Sequence, residues 1–173
     1  MIPLLQAVLL LVFPGLVITA GLRDMVSYTI PNWISATLIV GFLAAALALG
    51  LAPGTIGLHF AVGVAALAAG MIMFALGWIG GGDAKLFAAA GLWLGWPAAG
   101  PFLAVTGVAG GGLALALLGL RSQWLRPYVL AGPAWFSRLA RPGESVPYGV
   151  AIAIGALTAF PASTLMKAFP GLL

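Results

Sequence analysis

Hydrophobic residues run almost unbroken through this chain, and the few polar positions serve mainly to divide it. Residues 2–22 carry no charge. Met25–Gly82 is also uncharged, apart from a possible charge on His59. Two breaks divide that stretch: Pro31-Asn32 marks a helix start, and Ala52-Pro53-Gly54-Thr55 reads as a turn. Between Leu86 and Leu120 lie 35 more uncharged residues, interrupted by Gly95-Trp96-Pro97 and Pro101. As one helix they would extend about 52 Å, well past the roughly 30 Å of bilayer hydrocarbon. The pattern therefore predicts six spans, near 2–22, 32–50, 55–79, 84–97, 101–120 and 148–166, the fourth of them short. The expected fold class is an all-α polytopic membrane helix bundle, one integral-membrane domain over 1–173 with a single polar loop at 121–145. No basic segment precedes the first apolar run, so it reads as a span and not as a signal peptide.

Composition sharpens this picture. Of 173 residues, 63% are hydrophobic and 6% charged, and the mean hydropathy is +1.18. Soluble domains carry about 25% charged residues, so a water-soluble globule is excluded and lipid is the solvent. There is no cysteine, which removes disulfides, thiolate metal sites and cysteine nucleophiles together. A lone histidine, His59, forms no histidine cluster and reads as a packed or interfacial residue. Acid–base chemistry must draw on Asp24, Asp83 and Glu144, the last of which reads as a surface charge.

The net charge of +4 suggests nucleic acid until the positions are read. The cations sit between apolar runs and form no solvated basic face, so nucleic acid is not an expected partner. Arg23, Lys85, Arg121, Arg126, Arg138 and Arg141 fall in the connections after spans one, three and five, whereas Lys167 alone falls on the opposite side. The positive-inside rule then places those three connections in the cytoplasm and both termini outside. Within 121–145, Trp124, Tyr128, Trp135 and Phe136 alternate with arginines. That mixture suits an interfacial hairpin held by anionic membrane lipid, or a docking surface for an acidic partner segment. Glycine, at 25 residues, is about twice its usual share. Spacings such as Gly91 with Gly95 and Gly107 with Gly111 suit close helix packing.

Asp24 directly follows the first span and Asp83 directly precedes the fourth, 59 residues later. One out-and-back pair of helices joins them, which can return them to the same depth at the cytoplasmic edge. Two neighbouring carboxylates share a proton and titrate as a unit. One can then draw a proton from water while the other hydrogen-bonds a scissile carbonyl, as in aspartic peptidases. Other readings remain open at this point. A membrane carboxylate pair can relay ions or protons in a transporter. Both acids can also be ordinary loop charges, Asp24 beside Arg23 and Asp83 capping a helix. Three glycines, Gly80-Gly81-Gly82, lead into Asp83 and would let an extended backbone approach.

Those local sequences carry a family resemblance. Gly80-Gly81-Gly82-Asp83 matches the GxGD signature of membrane aspartic peptidases. Asp24, six residues ahead of Ile30-Pro31-Asn32, matches the first-aspartate motif of type IV prepilin peptidases, and Pro147-Tyr148-Gly149 resembles a Pro-Tyr-Gly element of the same family. The resemblance spans about residues 20–166 and implies that Asp24 and Asp83 are catalytic, with neither metal nor cofactor. It also implies site-shaping roles for Gly80, Gly81, Gly82, Ile30, Pro31, Asn32, Pro147, Tyr148 and Gly149. Lys85 would either bias the pair toward ionisation or snorkel as a positive-inside anchor. Without cysteines or room for a methylating region, the chain resembles the compact, peptidase-only enzymes of tight-adherence (Flp) pilus systems. The implied substrates are prepilins and pseudopilins, cut after a glycine at the cytoplasmic face of a bacterial inner membrane, with pilus assembly machinery as a further partner. Water must reach the acids, so a polar cavity opening to the cytoplasm is expected.

Overall fold

The computed structural model describes residues 2–133, 137 and 146–170, and within them every regular element is helical. The order is α1 (Ile2–Ser27), α2 (Asn32–Ala48), α3 (Pro53–Ala75), α4 (Gly81–Leu120), α5 (Arg126–Leu130), α6 (Tyr148–Ala159), a 3-10 turn (Phe160–Ala162) and α7 (Thr164–Lys167). Four apolar runs are long enough to cross a membrane: Pro3–Ser27, Pro53–Ala75, Gly81–Leu120 and Tyr148–Lys167; α2 is a shorter apolar helix. Large apolar side chains point outward from them, among them Leu11, Leu47, Val64 and Val108. In water such a surface would aggregate; in lipid it is solvated.

Local sequence explains where the helices stop. At the end of α3, Gly77 adopts φ +74. The Trp78 N–H reaches the Met73 carbonyl at 2.9 Å and the Gly77 N–H reaches that of Phe74 at 2.9 Å. This is a Schellman ending, whose left-handed residue suits glycine. The sequence pattern carried this span to about residue 79; the glycine ends it at Ala75.

The 40 residues of α4 would extend about 60 Å if straight. They do not run straight. Gly95 leaves helical geometry (φ 66, ψ −174), and the chain folds back there. Phe87 and Phe102 stack with ring centroids 5.0 Å apart, whereas fifteen residues of continuous helix would separate them by about 22 Å. The two halves of α4 thus act as separate rods, as the sequence pattern predicts, with the reversal at Gly95 and the prolines 97 and 101 on the second rod.

Neighbour contacts fix the directions. α1 and α2 run antiparallel: Gln6 Nε2 donates to the Ala48 carbonyl at 2.8 Å. Gly63 packs on Leu92 and Gly70 on Ala84, which sets α3 against the first half of α4. Gly110 packs on Tyr148 and Gly155 on Thr106, which sets the second half of α4 against α6. Gly21 packs on Ala153, which sets α6 against α1. Gly91 closes on Ala66 as its spacing suggests, but Gly107 and Gly111 face open space.

Aromatic rings fill the centre. Phe13 stacks on Trp93 at 5.2 Å and tilts against Phe160 at 4.6 Å. The Trp93 indole N–H donates to the Leu38 carbonyl at 2.7 Å, satisfying its one polar atom inside the core. His59 is also buried, and its Nδ1 lies 2.7 Å from the Leu92 carbonyl. In an unbroken helix that carbonyl would bond four residues ahead; the Gly95 reversal removes the partner and His59 replaces it.

The packing gives the bundle two unlike ends. One carries the turns at 28–31 and 76–80 and the start of α6; Arg23, Lys85 and Arg121 belong to this end. The other carries the α2–α3 turn, the Gly95 reversal and Lys167. Of the polar loop, Trp124 and Tyr128 are strongly exposed. Trp135, Phe136, Arg138, Arg141 and Glu144 lie outside the described residues.

Candidate active site

At the basic end, helix termini from distant parts of the sequence converge on one cavity of about 270 Å³. Asp24, Tyr28, Thr29, Ile30, Gly80, Gly81, Gly82 and Asp83 line it. Asp24 and Asp83, though 59 residues apart, therefore face the same cavity. Both side chains are buried, at 4% and 6% exposure.

Each acid is held by a different element. The sequence pattern ended the first span near residue 22, but α1 continues to Ser27 and carries Asp24 on its last turns. Asp24 Oδ2 accepts a 2.7 Å hydrogen bond from the Gly149 N–H, at the start of α6. Asp83 is the third residue of α4, and its Oδ2 reaches back to accept from the Gly80 N–H at 3.0 Å. A carboxylate there closes a donor the helix leaves open and faces the positive end of the helix. Asp83 Oδ1 is buried without a hydrogen-bond partner among the described residues. Each acid thus takes its own backbone donor, Gly149 for Asp24 and Gly80 for Asp83, and one oxygen of Asp83 is left for something else.

Close contacts explain the glycines. A Cβ on Gly149 would lie 2.9 Å from Asp24 Cβ, Asp24 Oδ2 and Ile30 Cδ1. A Cβ on Gly82 would press on the Ile30 backbone, at 3.3 Å from both N and O. Gly80 abuts Asp83 Oδ2, whereas Gly81 has nothing nearer than 3.6 Å, on the Phe74 ring. Ile30 and Pro31 carry the chain from the cavity into α2.

The other sequence-derived candidates fall beside the cavity. Pro147 is buried just before α6, and Tyr148 packs on Gly110 rather than lining the acids. Lys85 donates through Nζ to Asn32 Oδ1 at 2.7 Å. Neither Lys85 nor Asn32 lines the acids' cavity. Among the described residues no group of three or more His, Asp or Glu could hold a metal ion.

Sequence reasoning missed Tyr28 and Thr29. Tyr28 ends α1 in the left-handed region (φ 54), and its N–H bonds the Asp24 carbonyl at 2.9 Å. A bulky residue with positive φ is uncommon and marks a constrained turn. Nothing in residue type signals it; only its place between Asp24 and Pro31 could have drawn attention.

The model of the type IV leader peptidase family matches residues 11–117, well over half of the chain. The chain belongs to the type IV leader peptidase family. Neither a curated protein nor a solved structure gave a match. The matched segment of this leader peptidase holds Asp24 and Asp83, and α6, which supplies the Gly149 N–H, lies beyond it.

Proposed function

We propose that this peptidase is an aspartic endopeptidase that removes short basic leaders from prepilins and pseudopilins, of the Flp type. The single observation that carries the reading is the cavity shared by Asp24 and Asp83 at the basic end of the bundle. Family membership supplies the reaction class, and the paired acids supply a mechanism for it.

Two carboxylates this close hold one proton between them. The ionised member takes a proton from water as the oxygen attacks the scissile carbonyl carbon. The protonated member hydrogen-bonds the carbonyl oxygen and stabilises the developing negative charge. Collapse of the tetrahedral intermediate breaks the C–N bond, and the proton gained from water passes to the departing amine. Asp83 Oδ1, which has no hydrogen-bond partner among the described residues, is the oxygen left to bond water or carbonyl when substrate binds. The positive-inside reading supports the cytoplasmic side for this chemistry, and the resemblance implies a bacterial inner membrane; there a basic leader would stay in water while the following apolar helix stays in lipid.

Purified protein in detergent, given a prepilin, tests the proposal. Wild type is expected to release the leader. Asp24→Asn and Asp83→Asn should each slow release by about 10²–10⁴-fold, the range of general acid–base catalysis, while helicity is unchanged. Normal processing by either variant would refute the assignment. Intact prepilin together with acid-dependent cation or proton flux in liposomes would favour a transporter instead.

A further inference from the structure

A second concavity, of about 420 Å³, lies on the outer surface between α2, α3 and the first half of α4. Its walls are apolar, with Ile39, Phe60, Val64 and Leu92 among them, and its rim holds Asn32 and Lys85. Among the described residues, no acidic side chain lines it. The volume is that of a small-molecule site, about 300–1,000 Å³. Along α4 its contacts are Lys85, Ala88, Ala89 and Leu92, a stripe on one helical face.

That face points away from the acids. Asp83 sits two residues before Lys85, about 200° around the helix. Between the two cavities the Ile30 backbone is packed on Gly82. The groove shares no lining residue with the acids' cavity and so is a separate site.

We infer that this groove binds an anionic phospholipid, one acyl chain lying between α2 and α3 and the headgroup phosphate on Lys85. Charge complementarity selects the headgroup. An ammonium carries three donors, and Asn32 Oδ1 engages one of them at 2.7 Å. Depth agrees: Trp33, next to Asn32, is half exposed at the same end, as interfacial tryptophans are. The inference is independent of the proposed peptidase chemistry.

The absence of cysteine permits a direct test. A single Val64→Cys in the full chain places a thiol in the groove, and Leu115→Cys, on exposed surface outside it, serves as control. Alkylation by a membrane-permeable maleimide is timed in phosphatidylglycerol and in phosphatidylcholine vesicles. The Val64→Cys thiol should react about fivefold more slowly in phosphatidylglycerol, the scale expected for one lysine at an anionic surface, with no difference at Leu115→Cys. Adding Lys85→Gln should abolish the difference. Adding Ala36→Trp, which fills the groove from an exposed position on α2, should slow the reaction in both lipids and remove the lipid dependence even where Lys85→Gln fails to fold. Equal rates in the two lipids, or an undiminished difference with Lys85→Gln or with Ala36→Trp, would overturn the inference. Protection by prepilin but not by phosphatidylglycerol would overturn it in favour of a substrate-helix groove.

Discussion

The Gly149 N–H hydrogen-bonds Asp24 Oδ2 at 2.7 Å across 125 residues of sequence, and the missing side chain of Gly149 makes the room for that carboxylate. The start of α6 is thus part of the seat of Asp24.

Gly149→Ala should accordingly damage the site. Its Cβ would meet three heavy atoms at 2.9 Å, two of them on Asp24. Overpacking of this kind costs about 1–3 kcal/mol, and displacement of the acid should slow leader release by at least about tenfold. Thermal unfolding and a timed cleavage assay on the same preparation check both halves.

The glycine run before Asp83 should tolerate change unequally. Gly81→Ala, though on the cavity wall, meets only ordinary contact with Phe74 and should keep activity within about twofold, since it makes no new clash. Gly82→Ala pushes on the Ile30 backbone, which cannot move without shifting the turn that lines the acids. It should lose most of its leader release. Equal behaviour of the two variants in that assay would contradict this account.

Gly95 and His59 should behave as a coupled pair. A Cβ at Gly95 would fall 2.5 Å from His59 Cε1, and the φ of +66 is costly for alanine. Gly95→Ala should destabilise by about 2 kcal/mol or more, combining left-handed strain with overpacking. His59→Ala opens the space but leaves the Leu92 carbonyl without its partner. The double variant should lose less than the sum of the singles, by about 0.5–3 kcal/mol in a thermodynamic cycle. Additive losses would mean that the ring and the reversal are independent.

Trp93→Phe removes the indole donor to the Leu38 carbonyl while keeping an aromatic ring between Phe13 and Phe42. Because Trp93 is fully buried, stability should fall by about 1–3 kcal/mol. Trp93 lies away from the acids' cavity, so the turnover of the folded fraction should be unchanged. Unfolding and cleavage measured together separate the two effects.

Much of this architecture is legible in the sequence because lipid leaves few ways to fold an apolar chain. The apolar runs give the rods, and the prolines and glycines between them give the breaks. The convergence of Asp24 and Asp83 follows from counting spans. What the sequence hides is where long-range polar atoms meet. Residue type does not reveal that His59 completes a helix end at Leu92, or that Lys85 turns to Asn32 and away from the acids. Nor does it reveal the left-handed Tyr28, whose conformation is set by the turn around it. Gly107 and Gly111 show the limit of spacing rules: the interval is right for close packing, yet no neighbouring atom comes within 4 Å of where their side chains would be.

The origin of the Gly149 donor has a bearing on biogenesis. During translation the membrane receives both acids well before α6 has left the ribosome. Until α6 threads in, Asp24 lacks the amide that seats it. A nascent chain therefore carries both acids without their finished arrangement, and the cavity is completed only when α6 arrives.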